Sequence, residues 1–265
     1  MNKLEALKDY IRGLGGLAVA YSSGVDSTFL LKVAHDVLGE RCIAVTAQSA
    51  SFPKREREES EDFCAKEGIR QIIFETHEME EEEYASNPSN RCYYCKHTLF
   101  SDVIDIAKRE GIAYVAEGSN MDDLGDYRPG LQAIKELEVL SPLRQVELTK
   151  AEIREYSRAL GLPTADKPSF ACLASRIPYG ERITPEKLAK VEAAEDVLAG
   201  YGIPQYRVRV HGNLARIEVP EEYLGFVMED ARRKEILERF RTIGFFYVTV
   251  DMKGFRSGSM NEVLS

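Results

Sequence analysis

Leu17-Ala18-Val19-Ala20-Tyr21-Ser22-Ser23-Gly24-Val25-Asp26-Ser27-Thr28-Phe29-Leu30 is the stretch that decides the fold. Gly16 to Tyr21 reads as an apolar strand, and Ser22 to Ser27 as a turn of small residues. From about Ser27 to Leu38 the chain reads as a helix, with Phe29, Leu30, Val33, Ala34 and Val37 along one face. A strand that enters a helix through a small, hydroxyl-rich turn gathers backbone amides and the positive end of the helix dipole at one point, where an anion binds. The hydroxyls of Ser22, Ser23 and Ser27 add donors. No Gly-Lys-Ser/Thr follows, so the turn is not of the Walker type. The bland alternative is an ordinary strand-to-helix turn with Asp26 as a cap.

Outward from that turn, the first half alternates strand and helix. A helix over Lys3 to Arg12 precedes it. Strand Cys42 to Ala47, a charged helix from Pro53 to Glu67, strand Gln71 to Phe74, a helix from Lys96 to Glu110 and strand Ala113 to Glu117 follow. Pro53 suits a first helical turn, where its missing amide hydrogen costs nothing. Continuous apolar strands separated by helices predict a parallel sheet covered on both faces, an α/β fold. The second half changes character. Thr149-Lys150-Ala151-Glu152 has the form of a capping box, and a Pro/Gly-rich segment runs from Lys167 to Gly180. A helix (Pro185 to Ala199), two strands (Tyr206 to Val210, Leu214 to Val219), a helix (Tyr223 to Arg241) and a strand (Phe245 to Val250) then make a smaller α+β unit. The expected division is 1–148 and 149–265. Glu80 to Glu83 is the one charge run and reads as a solvated loop.

The chain has 265 residues, 44% hydrophobic and 30% charged, enough for one large domain or two modest ones. A net charge of −9 argues against bulk nucleic acid as a partner, because phosphate binding shows as a basic excess. No apolar run is long enough to span a bilayer, and the first residues hold no signal-peptide core, so a cytoplasmic protein is expected.

Ser22-Ser23-Gly24-Val25-Asp26-Ser27 resembles the SGGxDS loop of the PP-loop ATP pyrophosphatases, with Ser23 in place of the first glycine. The loop is therefore expected to adopt a shape that a serine tolerates. In that family the carboxyl edge of the sheet holds the nucleotide. The resemblance implies ATP on Ser22, Ser23, Gly24, Val25, Asp26 and Ser27. Adenine would pass strand Ala44 to Ala47, with Gly118 and Asn120 near the α-phosphate. A polar loop of Asp122, Asp123, Asp126 and Arg128 would handle a Mg2+-bound phosphate, although turn and cap chemistry accounts for such acids as well. The segments Glu117 to Gly130, Ser141-Pro142-Leu143 and Asp166 to Gly180, with Cys172 inside the last, resemble the sacrificial sulfur transferases known as LarE over nearly the whole chain. That resemblance implies adenylation of a pyridinium-3,5-dicarboxylic acid mononucleotide and replacement of a carboxylate oxygen by sulfur, as part of nickel-pincer nucleotide synthesis. Asp26, Ser27 and Cys172 are then the catalytic candidates, with Cys172 a sulfur donor in some members.

Five cysteines without a secretory signal do not suggest disulfides. Cys42 and Cys64 lie in apolar settings and read as core. Cys92 and Cys95, a CxxC pair in turn-like surroundings, join Cys172 to offer three thiolates, the number that members with a [4Fe-4S] cluster use, leaving one iron open to hydrosulfide. A zinc site with His97, a redox pair and unconnected thiols remain alternatives. Arg207 and Arg209 alternate on one strand and share a side, so their guanidiniums can fork the phosphate of a mononucleotide. Glu195 and Glu218 resemble acidic residues near that site and are candidate metal ligands; ion pairing on a strand face explains them equally well. A tRNA-thiolating PP-loop enzyme and a non-catalytic ATP-binding module are the rival functions. The expected partners are a small-molecule nucleotide and a sulfide donor, with a homo-oligomer expected from relatives.

Overall fold

A computed structural model describes residues 2–125 and 129–264. In chain order the elements are α1 (Lys3–Leu14), β1 (Leu17–Ala20), α2 (Val25–Leu38), β2 (Cys42–Gln48), α3 (Lys54–Glu67), β3 (Arg70–Glu75) and α4 (Glu82–Ala85). There follow α5 (Arg91–Arg109), β4 (Val115–Ala116), α6 (Gly130–Glu136), α7 (Pro142–Gln145) and α8 (Lys150–Ala159). The last part holds α9 (Pro185–Ala199), β5 (Arg207–His211), β6 (Leu214–Glu218), α10 (Leu224–Met228), α11 (Asp230–Ile243) and β7 (Tyr247–Val250).

By its contacts the chain forms two units, residues 1–81 with 90–170, and residues 82–89 with 171–265. The first is α/β, with a parallel sheet in the order β3-β2-β1-β4. Side chains alternate across it. Leu17, Val19, Cys42 and Ala44 enter a core with Leu7, Ile11, Phe29 and Leu30. Ala18, Ile43, Val45 and Val115 enter another with Phe100, Val103 and Ile134. Both faces are thus dry, which is why the strands read as unbroken apolar runs. Each buried Leu, Ile or Phe contributes about 1.5–3 kcal/mol. Helix α8, assigned to the second part from sequence, buries Ile153 in the first of these cores. Its capping box is formed: Glu152 N donates to Thr149 Oγ1 at 3.3 Å, and Thr149 N to Glu152 Oε2 at 2.9 Å.

The second unit is built on a sheet ordered β5-β6-β7, antiparallel between β5 and β6 and parallel between β6 and β7. Residues 82–89 belong to it through the backbone. Ile183 N donates to Ala85 O at 2.8 Å and Gly180 N to Asn87 O at 2.9 Å. Asn87, at φ +57°, sends its amide nitrogen to the carbonyls of Ile177, Pro178 and Glu181. Asparagine enters the left-handed region more readily than most residues.

Several element boundaries differ from the sequence reading. Helix α2 begins at Val25, inside the expected turn, and α5 begins at Arg91, so Cys92 and Cys95 lie in its first two turns and not in a loop. The acidic run is not simply a solvated loop, since Glu82 and Glu83 open α4 and neighbouring Glu78 is buried. The helix expected over 223–241 is broken at Glu229, whose ψ of 136° is extended. Among the described residues no helix is long and apolar enough to cross a membrane.

Candidate active site

The turn after β1 has the geometry of an anion cradle. Its N-cap, Gly24, makes no side-chain capping bond, so no side chain of the cap competes for the amides that open the 14-residue helix α2. Ser22 Oγ and Ser27 Oγ lie 3.1 Å apart, and Ser27 Oγ also donates to Gly24 O at 3.3 Å. Gly24 has an ordinary φ of −80°. A Cβ there would meet Ser22 Oγ at 3.6 Å and Ser27 Oγ at 3.9 Å, filling the cradle without clashing. Glycine at this position therefore keeps the cradle bare and serves no conformational need. Ser23 is the reverse case. It stands at φ +57°, so the loop has not taken a shape that suits a serine.

Gly118, in the loop after β4, presses on this turn: a Cβ there would lie 3.0 Å from Ser27 N and 3.1 Å from Asp26 Cβ. The same loop supplies Asn120, whose Nδ2 donates to Asp26 Oδ1 at 3.2 Å. The other carboxylate oxygen, Asp26 Oδ2, accepts from Lys150 Nζ at 2.5 Å. Burial pushes the Asp26 carboxyl above its ordinary range, and Lys150 opposes the shift. Asp123 Oδ2 accepts from Asn120 N at 2.9 Å and Asp122 Oδ2 from Lys150 N at 2.6 Å, so both acids serve as turn and cap partners. Of strand β2, Ala44, Val45 and Thr46 are buried, and exposure begins at Ala47. Asp126 and Arg128 lie outside the described residues. The loop thus brings Ser22, Ser23, Gly24, Asp26, Ser27, Gly118 and Asn120 together, while Val25 points into the core.

Two lysines join this site without any mark in the sequence. Lys150 reads there only as part of a capping box. Lys167 reaches back to the loop, its Nζ donating to Ser23 O at 3.0 Å and to Glu56 Oε2 at 2.6 Å, with Glu59 as a further partner. Neither contact has a local signature, since Lys167 is 144 residues from Ser23.

Cys92 and Cys95 are half-buried and one helical turn apart, hence on one face of α5. Cys95 Sγ donates to Glu78 Oε2 at 3.7 Å, and Ser51 Oγ donates to Glu78 Oε1 at 2.7 Å. Cys172 belongs to the second unit and is exposed. Cys42 and Cys64 are buried, their thiols pushed up to about 12 by that burial. The five cysteines form no disulfide, and no group of three or more His, Cys, Asp and Glu stands ready around a metal ion among the described residues. The donor types still suit iron or zinc, with two thiols presented by one face.

In the second unit a buried charge network surrounds the backbone of Cys172. Arg176, fully buried, forks Glu195 with two bonds of 2.8 Å and donates to Ala171 O at 2.5 Å and Cys172 O at 3.0 Å. Glu195 also accepts from Val208 N at 3.0 Å. Arg209 donates to Glu218 at 2.8 Å, to Ser259 Oγ at 2.9 Å and to Ser175 O at 2.9 Å. Glu218 further takes Arg216 at 3.1 Å. The candidate metal ligands Glu195 and Glu218 are therefore committed to arginines here, and a metal would have to displace a guanidinium. Arg207 stacks on Phe255, and burial lowers its pKa to about 10, which leaves it charged at neutral pH. Arg209 Nε is buried with no hydrogen-bond partner among the described residues, a donor left over for an anion.

No family model matches the sequence. The chain is 45% identical to an uncharacterized protein of Synechocystis sp., over 100% of its own length and 98% of the relative's. It is 36% identical to the pyridinium-3,5-bisthiocarboxylic acid mononucleotide synthase of Lactiplantibacillus plantarum, over 98% of this chain and 92% of that one. At 28% it is also similar to a chain of the glutamine-hydrolysing GMP synthase of Thermoplasma volcanium, over 74% of its own length and 67% of the relative's.

Proposed function

Because the chain belongs to the LarE family of pyridinium-3,5-bisthiocarboxylic acid mononucleotide synthases, we propose that it is an ATP-dependent sulfur transferase acting on a pyridinium carboxylate mononucleotide. One observation carries the ATP half of this reading: a bare glycine cradle lies under an uncapped helix N-terminus, with Asp26 beside it. The amides that open α2 and the hydroxyls of Ser22 and Ser27 bind the phosphates of ATP. Asp26, whose carboxylate faces Lys150 and Asn120, would hold the Mg2+ that accompanies ATP, which when bound would neutralise phosphate charge. The substrate carboxylate attacks the α-phosphorus, pyrophosphate leaves, and the carboxyl carbon becomes an acyl adenylate. Hydrosulfide then displaces AMP and leaves a thiocarboxylate. Where the Cys172 thiolate attacks instead, a thioester forms, and loss of the Cys172 α-proton with cleavage of its Cβ–S bond releases the thiocarboxylate and leaves dehydroalanine.

The second unit supplies the substrate and sulfur half. The buried guanidiniums of Arg207 and Arg209 hold the phosphate of the mononucleotide. Cys172 is the sulfur-handling residue, and the Arg176 bond to its carbonyl orients it. With Cys92 and Cys95 it would ligate a [4Fe-4S] cluster, which when bound supplies a renewable sulfur source in place of a consumed side chain. ATP–pyrophosphate exchange tests the reading. Exchange that appears only with the dicarboxylate mononucleotide is the expected result. Exchange driven by bulk tRNA would transfer the chain to the tRNA-thiolating enzymes, and ATP binding without exchange under any condition would make it a non-catalytic module.

A further inference from the structure

We infer that Lys167 is a positioning residue for the nucleotide loop, its ammonium holding Ser23 in a left-handed backbone conformation that a glycine would adopt unaided. The inference rests on the reading of this loop as the ATP site.

Ser23 is buried and stands at φ +57°. For a residue with a Cβ this conformation is disfavoured by roughly fivefold to thirtyfold. The bias must be met by something the loop itself does not contain. Lys167 Nζ meets it by donating to Ser23 O at 3.0 Å, with Ser23 Oγ at 3.3 Å sharing one of its three protons. The ammonium is itself fixed. Glu56, almost fully buried on α3, accepts from it at 2.6 Å through Oε2, and Glu59 one turn further on adds a second carboxylate. Glu56 Oε1 has no hydrogen-bond partner among the described residues, and the Arg55 guanidinium lies 3.9 Å from it. The Lys167 bond to Oε2 is thus the short contact of this buried carboxylate and is costly to give up.

The consequence for the nucleotide follows from peptide geometry. In a planar trans peptide the carbonyl of Ser23 and the amide of Gly24 point in opposite directions. Pinning the first on Lys167 therefore fixes the second, at the residue whose missing side chain keeps the cradle open. A glycine at position 23 would need no pin. The pairing of serine in the loop with this lysine is then one device split over two distant segments.

The test is a double-mutant cycle read by calorimetric ATP binding. Lys167→Met should weaken ATP about tenfold when Ser23 is present and no more than about threefold in the Ser23→Gly background. An equal loss in both backgrounds would mean that the lysine acts on the nucleotide directly, and no loss in either would mean that it does nothing for the loop; both overturn the inference. Should Lys167→Met fail to fold, position 23 alone decides. Ser23→Gly should bind ATP at least as tightly as the wild type and Ser23→Ala more weakly, and the reverse order would refute the clamp. A wild-type protein that binds no ATP would sink the proposed function and leave the clamp to amide exchange. In that case Gly24 and Val25 should exchange faster in Lys167→Met and recover their protection in the double variant, and unchanged exchange would overturn it.

Discussion

Removing Glu195 should cost more stability than any surface ion pair in the molecule. Arg176 is fully buried and Glu195 nearly so, and two bonds of 2.8 Å join them. Glu195→Ala strands the guanidinium with only carbonyls and a hydroxyl, and removes the acceptor of Val208 N. Breaking a buried pair from one side costs about 3–5 kcal/mol, and an orphaned amide adds about 1 kcal/mol or more. At about 2–4 °C per kcal/mol for a chain of this size, the melting temperature should fall by roughly 8–24 °C. Glu195→Gln keeps an oxygen for Val208 N and should lose less. The paired variant Arg176→Met/Glu195→Leu, which removes both charges, should be more stable than Glu195→Ala alone. Urea unfolding at 25 °C measures all three. A Glu195→Ala cost below about 1 kcal/mol, or strict additivity in the pair, would refute the view that Cys172 is backed by a tightly coupled charge network.

Asp26→Ala and Ser27→Ala should abolish pyrophosphate exchange while circular dichroism stays unchanged, and undiminished exchange in both would remove the loop from catalysis. Arg207→Ala should weaken the mononucleotide about tenfold or more, with ATP affinity unaffected, as titration calorimetry with each ligand would show. Alanine at Cys92, Cys95 or Cys172 should remove iron from anaerobically reconstituted protein, whereas Cys42→Ala and Cys64→Ala should keep it; retention of iron in Cys92→Ala and Cys95→Ala would end the cluster reading. Glu152 has its carboxyl lowered to about 2 by Lys3 and by the capping bonds of Thr149, so its stabilisation is present above its ordinary value of 4.5 and is lost as pH falls toward 2. Glu152→Ala should therefore cost about 1 kcal/mol in urea at pH 7 and progressively less as the pH falls from 4.5 through 2, and a pH-independent cost would contradict the assignment.

What is legible in the sequence is what local chemistry dictates. The apolar run into Ser22–Ser27, the capping box at Thr149 and the Pro185 helix start each act within one turn of chain, and each lies where expected. What the sequence hides depends on partners far apart. Glu56 and Glu78 are acids in acidic stretches, and nothing nearby marks them as buried; Lys167 and Cys95 reach them only after folding. The CxxC pair reads as a turn because Tyr93, Tyr94 and the two cysteines carry little helical bias. Helix packing decides otherwise: Gly130, where a Cβ would lie 2.5 Å from Lys96 Cδ and 3.1 Å from Cys92 O, lets α6 close on α5 at that point. Alternation locates the arginine pair on β5, but not the burial that sets its chemistry.

The eight residues from Glu82 to Ser89 are encoded in the middle of the first unit and fold with the second, which gives the molecule an order of assembly. As the chain leaves the ribosome, all residues of the first unit have emerged by Phe170, while residues 82–89 still await the partners they take in the second unit. The second unit cannot finish until the residues near Ile177 to Ile183 arrive to accept and donate its hydrogen bonds. A gene fragment starting at Ala171 would make a protein lacking the strand of chain that Asn87 anchors. Supplied separately as a peptide, residues 82–89 should bind that fragment and complement it, as a missing piece does in a split protein.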